Sequence, residues 1–87
     1  MKKVKITIEA GKDSYGAYSE TIDGLYAAGD TIEDCQKDVL SVIELMIEHK
    51  KDYTLPQWFI DRNFSIEWTY NTEIRKDRNV FAFNIFV

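Results

Sequence analysis

Cysteine and histidine each occur only once in this 87-residue chain, and each scarcity closes off a class of chemistry. A lone Cys35 excludes an intramolecular disulfide and a zinc cluster built from cysteines. His49 has only lysines and Glu48 beside it in sequence, so it lacks the nearby nucleophile or orienting group that a general base needs. No stretch approaches the ~20 apolar residues that cross a bilayer. The N-terminus, MKKVKITIEA, is basic, but its apolar positions alternate; it reads as a strand and not as a signal peptide. Positive charge is also short, with 11 Lys and Arg against 15 Asp and Glu, a net charge of −4 and a pI near 4.9. Phosphate contacts need a basic face, so this acidity argues against nucleic acid and suits a basic protein partner. Simple solubility accounts for the same charge. There are no internal repeats and no low-complexity tracts. The expectation is one small soluble, cytoplasmic domain without membrane, metal or cofactor.

What is present is regular patterning. Val4, Ile6 and Ile8 alternate with Lys3, Lys5 and Thr7, the period of a half-buried strand. Residues 10–14 supply a turn, and Tyr15 to Glu20 resume as a second strand. Asp23-Gly24 makes another turn, and Leu25 to Ala28 form a short third strand. Thr31 is a good N-cap, with Asp34 three residues on as an acidic variant of the capping box and Glu33 in the first turn. Gly29, just before it, is expected to take a positive φ.

The helix then runs from about Ile32 to Lys50. Ile32, Cys35, Val39, Val42, Ile43, Met46 and Ile47 form its apolar stripe, broadened by Leu40 and Leu45. Asp34, Lys37, Asp38, Ser41, Glu44 and Glu48 hold the opposite face, and His49, Lys50 and Lys51 complement the C-terminal dipole. Pro56 starts a short helix. Phe64, Ile66 and Trp68 alternate into a fourth strand. Val80 to Val87, almost wholly apolar, read as a fifth. The predicted fold is α+β, an antiparallel sheet in the order β-β-β-α-(short α)-β-β with the helix on one face.

A nuclease of the RNase H type needs converging carboxylates. Glu9, Asp30 and Glu44 are the candidates, but strand one has no central carboxylate, and solvated surface acids explain all three. Cys35, one turn inside the helix, reads as a buried small hydrophobe, not as a reactive thiol. The aromatics come without a basic groove, so core packing explains them better than base stacking. Nothing here reads as an enzyme.

Between Tyr15 and Asp34 the residues Tyr15, Ala17, Asp23, Gly24, Ala28, Gly29, Asp30, Thr31, Glu33 and Asp34 make a pattern that resembles the HicB-type antitoxin domain. The resemblance covers roughly residues 3 to 70. It implies a partial RNase H-like fold of three antiparallel strands, a helix and a further strand, here residues 1–72. It also implies a partner, a small basic HicA-like toxin that cleaves messenger RNA and whose active-site face the domain covers. The alternative is an orphan HicB-like domain that acts as an oligomeric interaction module. Longer members of the family carry a DNA-binding region after this domain, and nothing after Thr72 has that pattern.

The expected partner-binding residues lie near the third strand and the helix start: Asp23, Tyr26, Asp30, Glu33 and Asp34. Asp30, Glu33 and Asp34 equally suit a purely local role at the helix N-terminus. Residues 73–87, a loop and an apolar strand, either complete the domain or extend it to form a dimer. Val80, Phe81, Phe83, Ile85 and Phe86 are the expected self-association residues of a homodimer.

Overall fold

Strand β1, Lys2–Ala10, takes its place in the sheet from its alternation: Val4, Ile6 and Ile8 are completely buried, while Lys3 and Lys5 are exposed. The computed structural model describes residues 1–71. A tight turn follows β1, closed by the Gly11 N–H donating to the Ser14 carbonyl at 2.7 Å. Strand β2, Tyr15–Ser19, returns antiparallel, with Ile8 opposite Ala17 and Thr7 opposite Tyr18.

The next connection is built on Ser19, whose hydroxyl accepts from the Thr21 and Ile22 amides at 3.0 Å each. This loop is not merely polar, because Ile22 and Leu25 insert into the core. Gly24 lies in it with φ +87°, a backbone that side chains avoid. Strand β3, Tyr26–Gly29, then pairs antiparallel with β2.

Helix α1, Ile32–Glu48, starts as its caps dictate: Thr31 is extended, and its hydroxyl accepts from the Asp34 amide at 3.0 Å. Cys35, Val39, Ile43, Met46 and Ile47 are its buried face. Leu40 and Leu45, expected to broaden that stripe, stand on its two flanks, 50% and 53% exposed. The helix also stops earlier than expected. His49 is the C-cap, no basic residue lies in the last turn, and Lys50 and Lys51 belong to a 3₁₀ turn, Lys50–Asp52.

Pro56 caps a one-turn helix, α2, Gln57–Ile60, which buries Phe59. Arg62, with φ 59°, turns the chain sharply into β4, Phe64–Asn71.

Over the described residues the fold is α+β with a four-stranded sheet in the order β3-β2-β1-β4. The expected antiparallel sheet is corrected here to a mixed one, because β4 lies parallel to β1, with Val4 beside Ile66 and Ile6 beside Trp68. The reason is the route of the chain. After β3 on one edge, α1 carries it back across the sheet, and a strand entering beside β1 after such a crossover runs parallel to it. The fifth strand expected at residues 80–87 lies outside the described residues.

The core is the layer between α1 and one face of the sheet, and among the described residues it holds no buried polar or charged side chain. Burying each large member contributes roughly 1.5–3 kcal/mol. At the β4 end, Phe59 stacks on Phe64 with ring centroids 5.2 Å apart, and Trp58 meets Phe64 edge-on at 6.2 Å.

Candidate functional site

The approach of α1 to β3 shapes the region around the five expected partner residues. At Gly29 a Cβ would lie 2.4 Å from the Cys35 nitrogen and 2.7 Å from the Asp34 carbonyl carbon. Gly29 therefore serves close approach, and the positive φ expected there is corrected: among glycines of the described residues only Gly24 has one. With the side chain absent, the first turn of α1 sits directly against the end of β3.

Asp23, Tyr26, Asp30, Glu33 and Asp34 are all exposed. They do not form one cluster. Asp23 sits in the loop before β3, while Asp30, Glu33 and Asp34 follow its end, so the strand holds the two groups about 10 Å or more apart. Tyr26, 69% exposed, pairs across strands with Tyr18 on the sheet face turned away from α1. The four carboxylates take part in no side-chain hydrogen bond or ion pair among the described residues. The Asp34 amide, in contrast, is engaged by the Thr31 cap. The surface is thus a β3 flank with acid at both ends and an aromatic ring between them.

A further residue belongs to this flank. Asp38 Oδ2 accepts from the Ala28 amide at 3.0 Å. β3 is an edge strand among the described residues, and that amide points away from β2, so the carboxylate occupies a backbone donor that another strand would otherwise use. Nothing in the sequence distinguishes Asp38 from the other polar residues of α1; only the crossing of α1 over β3 gives it this role.

The remaining candidates resolve individually. Glu44 accepts two hydrogen bonds from Arg62, from Nε to Oε2 at 3.2 Å and from Nη2 to Oε1. The hydrogen bond from Arg62 holds the Glu44 carboxyl below its usual range and raises the guanidinium correspondingly. Cys35 is buried, and its thiol lies 3.8 Å from the Tyr15 carbonyl oxygen, to which it donates. Burial pushes the thiol pKa up, and the Asp38 charge pushes it further, which keeps it protonated at neutral pH. His49 is exposed and lies 4.0 Å from Glu48. Among the described residues, no three His, Cys, Asp or Glu side chains gather into a group that could hold a metal ion. No described helix is long and apolar enough to cross a membrane.

The expected self-association residues, Val80, Phe81, Phe83, Ile85 and Phe86, lie outside the described residues. No family model, curated protein or solved structure matches the chain.

Proposed function

We propose that this chain is a HicB-like antitoxin domain, a non-catalytic module that binds a small basic HicA-like toxin and covers its active-site face. The observation that carries this reading is the β3 flank, where Asp23, Tyr26, Asp30, Glu33 and Asp34 are all exposed and their carboxylates have no partner of their own among the described residues. A toxin made basic by its RNA substrate presents the complementary charge, and complementary fields speed encounter and fix orientation. The run β1, β2, β3, α1, β4 also supports it, since three antiparallel strands, a helix and a further strand are the elements that the resemblance implies. A partial RNase H-like architecture is part of the same proposal.

The test is inhibition of the small basic toxin encoded by the neighbouring reading frame. The chain suppresses its cleavage of messenger RNA, and Asp23→Lys combined with Glu33→Lys weakens binding at least about tenfold, or about 1.4 kcal/mol, with an unchanged thermal melt. Inhibition that survives this charge reversal removes the β3 flank as the binding face. A neighbouring frame without such a toxin favours the orphan interaction module.

A further inference from the structure

The loop between β2 and β3 is anchored beneath and gripped at its tip. Ile22 and Leu25 are buried on either side of the tip, and the Ser19 hydroxyl holds the Thr21 and Ile22 amides. Asp23 and Gly24 stand between these anchors, both exposed. The bare side of Gly24 faces an aromatic ring. A Cβ built there would lie 3.7 Å from Tyr53 Cδ1 and 3.9 Å from Met46 Cε, ordinary van der Waals contact. The end of α1 delivers this ring. After the His49 cap the chain makes the 3₁₀ turn Lys50–Asp52, and Tyr53 leaves it extended, its amide donating to the Lys50 carbonyl at 3.3 Å. Tyr53 is still 40% exposed, so Gly24 and Met46 cover only part of it. Asp23 is the next residue along the tip, its Cα about 3.8 Å from that of Gly24. An aromatic ring and an exposed carboxylate are thus neighbours that the sequence keeps far apart.

We propose, building on the reading of the chain as a module for a basic protein, that Asp23 and Tyr53 together receive one Lys or Arg side chain of that partner. Charge complementarity selects the occupant. The Asp23 carboxylate supplies the opposite charge, and the negative face of the ring attracts a cation within about 6 Å of its centroid. Among the described residues Lys50 and Lys51, close to Tyr53 in sequence, form no ion pair with Asp23, so a cation from the partner meets no competitor there. The ring also restrains the tip through Gly24, which fixes Asp23 before the partner arrives and lowers the ordering cost of binding. Tyr53 therefore joins the β3 flank as a contact that sequence order does not reveal.

A tetra-arginine peptide titrated into the full chain, followed by amide chemical shifts, tests the contact without the toxin. The peptide moves the Asp23, Gly24 and Tyr53 resonances. Asp23→Asn and Tyr53→Ala each weaken the binding read there by about two- to fivefold, and Tyr53→Phe, which keeps the ring face, does not. Shifts confined to residues 30–34, or equal affinity in a folded Tyr53→Ala protein, overturn the proposal. If Tyr53→Ala does not fold, nuclear Overhauser contacts in the unsubstituted chain decide. Contacts between the arginine methylenes and the Tyr53 ring support the proposal, and their absence overturns it. Peptide binding at Asp23 and Tyr53 without inhibition of the neighbouring toxin removes the antitoxin reading alone, whereas toxin inhibition unaffected by Tyr53→Ala removes this contact alone.

Discussion

The two outer strands of the described sheet differ in how they meet α1. On the β3 side the strand is only four residues long, α1 presses against it, and Asp38 takes the Ala28 amide. Its surroundings are acidic and exposed. On the β4 side the strand is eight residues long, its inner margin is apolar, and the contacts to α1 are side-chain tethers at Gln36 and Glu44. A short, acidic, blunted edge resists strand addition and presents side chains instead. The difference teaches that the first edge is shaped to present side chains, whereas the second is held to α1 through its apolar face.

Substitutions can break each side of that comparison separately. The largest expected effect lies on the β4 side. Phe59 is fully buried and stacks on Phe64, so Phe59→Ala lowers stability by about 3–5 kcal/mol through lost packing and the cavity left behind. Urea denaturation measures it, and a loss below about 1 kcal/mol would mean that this cluster does not anchor β4.

Gly29→Val is the counterpart on the β3 side. The new Cβ meets backbone atoms of Asp34 and Cys35, which cannot swing aside as a side-chain end could, and the cost is about 2–3 kcal/mol. An unchanged urea midpoint would show that α1 does not press on β3 as described.

Asp38→Ala leaves the Ala28 amide to water or to another chain. The expected loss is about 1 kcal/mol, together with more self-association than the parent protein shows. Light scattering and a urea melt read the two effects, and an inert substitution would remove the role assigned to Asp38.

The smallest effect concerns Glu44 and Arg62, both exposed. The folded-state pKa of Glu44 is lowered, chiefly by the hydrogen bond from Arg62, so the unfolded chain binds more protons in the acid range. The stabilisation is therefore present above the unfolded carboxyl value and is lost as pH falls through the folded one. Glu44→Gln is slightly less stable than the parent at about pH 7, and the two converge near about pH 3. A difference that stays constant across this range would contradict the assignment.

Much of the local structure was legible in the sequence, because local rules set it. The Thr31 cap, the Pro56 helix start and the alternation in β1 and β4 each specify an element without reference to distant residues. Strand direction was not legible. Alternation has the same period in parallel and antiparallel strands, so Phe64, Ile66 and Trp68 announced a strand but not that it would lie parallel to β1. At Gly29 the requirement for glycine was legible but its cause was not, since both a positive φ and a close approach select the same residue. For the candidate surface, the exposure of Tyr26 and the acids followed from the pattern, whereas their separation to the two ends of β3 and the inclusion of Asp38 depend on where α1 crosses.

The central claim is the proposal that the β3 flank, and not the β4 flank, receives a partner. Hydrogen exchange of the complex with the small basic toxin tests it most directly. Binding slows exchange at residues 20–34, covering the loop before β3, the strand and the first turn of α1, and leaves residues 64–70 unchanged. Protection that appears along residues 64–70 and spares residues 20–34 would contradict it.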